Sequence, residues 1–141
     1  MYKYTFIDHT ADIGFKIEAS SLNELFKGAA ILTFDVMTDV KKVKPKIKKN
    51  IELQSKEIDR LLFTFIEELI FLKDAVYMLF SKFKVKITQK DELFKLKAEI
   101  HGEKIDSKKH ELKTDVKAIT LHHFYVKKVK NKCVASIILD I

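Results

Sequence analysis

The residues with chemistry to offer are acids at the two ends of the chain. Near the start, Asp8-His9-Thr10-Ala11-Asp12-Ile13-Gly14 sets two carboxylates and an imidazole in one short polar stretch. It lies between the apolar Phe6-Ile7 and the alternating Ile13, Phe15, Ile17 and Ala19. An exposed turn scaffolded on both sides is where functional groups are commonly carried. Carboxylates at this spacing can present several oxygens to one point, as a hard cation requires. The alternative is that Asp8 and Asp12 cap turns, a common use of aspartate. At the other end, Asp140 stands in the apolar run Ile137-Ile138-Leu139-Asp140-Ile141. A buried charge without a partner is very costly, so Asp140, with the C-terminal carboxylate one residue on, requires a lysine or a metal. Lys117 opens the preceding strand, and counting back through the hairpin brings it level with Asp140. A plain Lys117–Asp140 ion pair is therefore the simple alternative to a metal.

Other chemistries lack their residues. His122 and His123 are adjacent, and consecutive positions of a strand point to opposite faces, so they are not expected to share one metal. There is one cysteine, Cys133, on an alternating apolar face, where it reads as a small buried hydrophobe. It allows no internal disulfide, and a free thiol fits a reducing compartment. The chain has neither zinc-ligand spacing, nor a His-Glu-x-x-His helix, nor a glycine-rich phosphate loop. No nucleophile and base stand at a spacing that would make a catalytic set.

The elements that must position these groups follow from periodicity. Residues 2–7 and 13–19 read as strands, the second alternating apolar with polar. Ser21 and Glu24 have capping-box spacing and open a helix along Leu22, Leu25, Phe26, Ala29, Thr33, Phe34 and Met37, ending near Thr38-Asp39. A lysine-rich stretch around Pro45 leads to a strand over 47–53, read as an edge blunted by lysine. No aromatics are interleaved there to stack bases. A second helix spans 55–73 and is apolar almost all round, with Glu67 and Glu68 on a narrow wet face. Phe83, Val85 and Ile87, then Phe94, Leu96, Ala98 and Ile100, alternate with mostly lysine and make a hairpin with one buried face. Gly102 is expected to end it. A polar loop over 105–114, with His110 near its end, leads to a strand over 116–126. Asn131 is expected to take the left-handed conformation in the next turn, and Cys133 to Ile141 alternate along the last strand. The expectation is a single α+β domain over 1–141, with two main helices packed on a mixed, largely antiparallel sheet.

Composition sets the outer bounds. The chain has 141 residues, 47% hydrophobic, which is enough for one domain with a core of its own. A formal charge of +7 favours anionic partners such as RNA. Yet the lysines are spread along the chain and Arg60 is the single arginine, whereas arginine dominates specific phosphate and base recognition. With neither a signal peptide nor an apolar run of membrane-spanning length, the chain is expected to be soluble and cytoplasmic, with no membrane partner.

Taken together, Asp8-His9-Thr10-Ala11-Asp12-Ile13-Gly14, Met37-Thr38-Asp39, Leu79-Phe80-Ser81-Lys82-Phe83, Gly102-Glu103, Val116-Lys117-Ala118-Ile119-Thr120 and the terminal Ile138-Leu139-Asp140-Ile141 resemble the archease family. The likeness covers nearly the whole chain in the family's order. It implies a non-catalytic cofactor protein of an RtcB-type RNA ligase that joins tRNA exon halves. Such a protein promotes guanylylation of the ligase histidine and allows multiple turnover, with at most indirect or weak contact with tRNA. The resemblance places the family's metal-linked acids on Asp12 and Asp140, with oxygens from Ile141. Its functional lysine falls on Lys117, and Asp8 and His9 take supporting positions. Such oxygen ligands suit calcium first and magnesium as the alternative. One departure is Leu121-His122-His123, where many relatives carry an aromatic before the histidine. Two other functions compete: an RNA-binding accessory domain, drawing on the +7 charge, and a small metal-dependent hydrolase using the acid cluster.

Overall fold

The computed structural model describes residues 1–8 and 12–141, without the side chains of Ile7 and Asp8. In order, the elements are β1 (Tyr2–Asp8), β2 (Asp12–Ala19), α1 (Leu22–Met37), a single 3-10 turn (Val40–Lys42), β3 (Ile47–Ser55), α2 (Ile58–Val76), β4 (Met78–Lys90), β5 (Leu93–Lys104), β6 (Ala118–Val129) and β7 (Lys132–Asp140). The α+β class and the two helices are as expected. The strands form two sheets, both antiparallel throughout: β1-β2-β7-β6 and β3-β5-β4.

Both helices pack against strands of both sheets. That explains the breadth of apolar surface on α2. Leu61, Leu62, Phe65, Ile66, Leu69 and Ile70 are all buried, and Phe63 meets Phe124 of β6 edge-on at 5.4 Å. Two covered sides need a wider stripe than one. The core is rich in phenylalanine: Phe34 stacks on Phe83 and meets Phe80 edge-on, and Phe26 stacks on Phe65.

Ends of elements depart from expectation for local reasons. Ser21 caps α1 by accepting from the Glu24 amide at 3.2 Å, but the Glu24 carboxylate turns to the Met1 amino group rather than closing a capping box. Helix α2 starts and ends three residues later than expected, with Ser55 accepting from the Glu57 amide before it and Tyr77 in the left-handed conformation after it. Gly102 does not end the second strand of the hairpin. It lies inside β5, opposite Phe80, where β4 has a bulge before Lys82. A Cβ on Gly102 would sit 1.9 Å from the Leu79 carbonyl oxygen, so only glycine permits this approach. The β6–β7 turn takes its left-handed residue at Lys130 rather than Asn131. Strand β3 is an edge strand, and lysine does line it.

Candidate functional site

The ends of three neighbouring strands make the site. In β2 the residues Phe15, Ile17 and Ala19 are buried toward the helices, and in β7 so are Ala135, Ile137 and Leu139. Alternation therefore sends Asp12 and Asp140 to the other face of the sheet. The two are direct cross-strand partners, and Asp140 is in turn the partner of Ala118 on β6. Side chains directly opposite one another have Cβ atoms roughly 4.5–5.5 Å apart, and like charges so placed repel. Asp140 is exposed and Asp12 and Ile141 are half-buried, so the acids gather at a sheet end open to solvent. Two neighbouring carboxylates, with the backbone oxygens of Ile141 one residue on, are oxygen donors of the kind a hard divalent cation takes, although no group of three or more His, Cys, Asp or Glu side chains placed to hold a metal occurs among the described residues.

Lys117 arrives at the same end by a different contact from the one expected. Its backbone amide donates to the Asp140 carbonyl at 2.9 Å, while among the described residues its side chain forms no ion pair with Asp140. The ammonium is exposed and remains available for an outside partner. Asp12, Asp140, Ile141 and Lys117 are thus brought together. His9 lies outside the described residues, as does the Asp8 side chain; the Asp8 backbone ends β1, beside Ile13 of β2.

The polar loop before Lys117 is ordered by buried groups that periodicity did not reveal. Lys73, near the end of α2, is 4% exposed. Its ammonium donates to Asp115 at 2.6 Å and to the Val116 carbonyl at 2.9 Å, and it lies 3.0 Å from Asp74. It therefore fixes the two residues immediately before Lys117. Farther back, Glu103 is buried and accepts from the Lys44 amide at 2.7 Å, from Lys109 at 2.6 Å and from His110 Nε2 at 3.0 Å. His110 Nδ1 accepts from the Asp106 amide, so the donating proton belongs on Nε2. Burial pushes the Glu103 carboxyl up, but the hydrogen bonds from Lys109, Lys44 and His110 outweigh it and hold its pKa at about 2, below the ordinary 4.5. The loop is also tied to the end of α1, Lys113 N–H donating to Met37 O and Thr114 N–H to Val36 O.

His122 and His123 are not on opposite faces, contrary to the strand-period reading. Leu121-His122-His123-Phe124 of β6 stand against the single residue Ile137 of β7, which makes a wide bulge. His123 takes a positive φ of 52°, and the two rings lie 4.0 Å apart on exposed residues. The bulge begins three residues beyond Ala118, the β6 partner of Asp140, just after Thr120 pairs with Ile138, and it leaves Leu121 exposed.

A family model described as the Archease protein family matches residues 4–141. The chain belongs to the archease family. It is 38% identical over its full length to the whole of the protein archease of Pyrococcus furiosus and 40% identical to that of Sulfurisphaera tokodaii, again with all of both chains covered. A Methanobacterium thermoautotrophicum protein of known solution structure superposes with a TM-score of 0.87 at 38% identity over 98% of both chains. The archease fold extends to a Thermotoga maritima crystal structure, described as an archease and possible chaperone. That structure has a TM-score of 0.64 at 19% identity, over 96% of this chain and 94% of that one. The convergence of Asp12, Asp140, Ile141 and Lys117 is therefore a feature built on an archease scaffold. Among the described residues, no helix is long and apolar enough to cross a membrane.

Proposed function

We propose that the chain is a non-catalytic activator of an RtcB-type tRNA-splicing RNA ligase, acting in the cytoplasm. It would promote guanylylation of the ligase and repeated turnover. The observation that carries this reading is the meeting of Asp12, Asp140 and Lys117 on adjoining strand ends. Three chain segments far apart in sequence supply two carboxylates, main-chain oxygens and an ammonium to one exposed tip. The tip projects from the end of a sheet held by a close-packed core, which suits insertion into another protein's cleft. A rigid site keeps its charges in place without reorganisation when the partner binds.

The donors fit a calcium or magnesium ion held by Asp12, Asp140 and the backbone oxygens of Ile141. When bound, such an ion would neutralise the acid pair and supply positive charge for nucleotidyl transfer. The chain's own groups do the rest. Asp140 holds the Lys117 backbone through its carbonyl, and the Lys117 ammonium is presented to a phosphate or a carboxylate of the ligase. Asp8 and His9 serve as supports of Asp12. The exposed Leu121, three residues beyond Ala118 on β6, offers apolar contact to the cleft wall. In this reading the covalent nucleotide remains on the ligase.

The test is multiple-turnover ligation of tRNA exon halves by the co-purified ligase. Wild-type protein is expected to sustain many turnovers, and Lys117→Ala protein to leave the ligase near one. Full turnover with Lys117→Ala would remove Lys117 from the mechanism, and failure of the wild-type chain to stimulate any such ligase would end the reading.

A further inference from the structure

The face of the second sheet that points away from the helices is a basic platform. In β3, β5 and β4 the residues Ile51, Leu96, Ala98, Ile100 and Phe83 are buried, so their alternates face outward. Lys82, Lys84 and Lys86 run down β4, Lys95 and Lys97 down β5, and Lys48 stands on β3, all of them exposed. The strand register lines these up in rungs: Lys48–His101–Lys82, Asn50–Glu99–Lys84, Glu52–Lys97–Lys86 and Gln54–Lys95–Thr88. The carboxylates on these rungs are Glu52 and Glu99, and the Glu52–Lys97 contact is loose at 3.9 Å. A depression of about 460 Å³ crosses the middle, lined in part by Asn50, Lys84 and Lys97.

Lys86 and Lys97 are direct cross-strand partners, and like charges in that position destabilise a sheet. Solvation alone does not require lysine beside lysine; a polyanion laid across the face would relieve the repulsion. Alternate side chains along a strand are about 6.7 Å apart and neighbouring strands about 4.8 Å apart, so four rungs give a patch roughly 20 Å long and 10 Å wide. That is large enough to follow several phosphates of one backbone. Apart from the half-buried imidazole of His101, the rungs carry no aromatic and no aliphatic side chain. A protein interface is built around a buried apolar or aromatic centre, and single-stranded RNA is held by aromatic stacking. A duplex backbone needs only the charges.

We propose that the outer face of β3, β5 and β4 binds the phosphate backbone of duplex RNA, without sequence preference. The choice of RNA over DNA rests on the ligase reading above; the backbone contact itself does not. The face lies on the other side of the helix layer from the Asp12–Asp140 tip, so one molecule can engage RNA and ligase at once.

The test is fluorescence anisotropy of a labelled RNA duplex about 20 base pairs long, titrated with the full chain at two salt concentrations. Non-specific contacts of this kind give Kd values of roughly 10⁻⁴ to 10⁻⁶ M at physiological salt. With about three phosphates engaged, the slope of log affinity on log salt should be near −3. The triple variant Lys84→Gln, Lys86→Gln, Lys97→Gln should bind tenfold or more weakly, with a flatter salt slope. A control with the same charge change at the far β6–β7 turn, Lys127→Gln, Lys128→Gln, Lys130→Gln, should lose less than threefold. Equal losses in the two variants, affinity indifferent to salt, or tenfold tighter binding of a DNA duplex would overturn the proposal. RNA-free ligase guanylylation should be unchanged by the face variant. Its loss there would reassign the face to the ligase and overturn the RNA assignment, while failure of Asp140 variants to matter would bear only on the activator reading.

Discussion

Lys73→Met isolates the contact that holds Lys117 in place. The substitution keeps the length and most of the volume of a side chain that is 4% exposed, so it opens little cavity. It removes an ammonium whose donors go to Asp115, Asp74 and the Val116 carbonyl. The two carboxylates are exposed by 70% and 63%, and water takes over their solvation, so each of those pairs counts for about 0–1 kcal/mol. The Val116 carbonyl is different. Val116 is fully buried, and an acceptor left without a donor there costs about 1–3 kcal/mol. Relief of the buried ammonium offsets part of this. The net expectation is a loss of about 2 kcal/mol, most of it assigned to Val116. A domain with the usual stability of about 5–15 kcal/mol remains folded after such a loss. Urea denaturation should show the drop, and Asp115→Ala should show less than half of it. At a temperature where Lys73→Met protein is fully folded, its stimulation of ligase guanylylation should still fall several-fold, because residues 115 and 116 no longer fix Lys117. Unchanged stability would refute the energetic argument. Wild-type stimulation by folded Lys73→Met protein would refute the positioning role.

Two further outcomes follow from the loop and the bulge. Gly102→Ala would put a Cβ at 1.9 Å from the Leu79 carbonyl oxygen and 2.8 Å from Phe80 Cα, both backbone atoms that have nowhere to go. Its cost should reach or exceed the upper end of the about 1–3 kcal/mol usual for overpacking. At about 4 °C per kcal/mol for a chain of this size, thermal denaturation should show a Tm lower by roughly 10 °C or more. Glu103 has a folded-state pKa of about 2 against an ordinary 4.5. The ionised form is thus favoured by folding, and its contribution is complete above 4.5 and lost as pH falls toward about 2. Denaturation midpoints across that window should fall in wild type and flatten in Glu103→Gln, which should also be less stable at neutral pH.

Much of the fold was legible because it rests on local pattern. Period-two alternation marked most of the strands, and the apolar spacing of α1 and α2 marked both helices. Counting residues back along the β6–β7 hairpin brought Lys117 level with Asp140, whereas Asp12 joined them only through the likeness to the archease family. What escaped detection depends on contacts distant in sequence or on broken register. The division into two sheets follows from helices covered on two sides, which the all-round apolarity of α2 implied without locating. Lys73 fell at the end of a helical pattern and gave no sign that Asp115 and Val116 would meet it. Glu103 and His110 looked like ordinary polar residues beside a loop, since nothing local shows that a loop will fold over them. His122 and His123 were assigned opposite faces because strand periodicity was assumed to continue through residues that bulge. The basic platform was hidden by even spacing: lysines spread along the chain become one face only once β3, β5 and β4 are paired.

The most direct measurement of the central claim is the rate at which an RtcB-type ligase forms its covalent guanylate with GTP, compared with no added chain, wild-type chain, Asp12→Ala and Asp140→Ala. The wild-type chain should accelerate adduct formation. Either aspartate variant, folded by circular dichroism, should return the rate to within a few-fold of the ligase alone. Full acceleration by both variants would contradict the assignment of the Asp12–Asp140 tip as the part of the molecule that acts on the ligase.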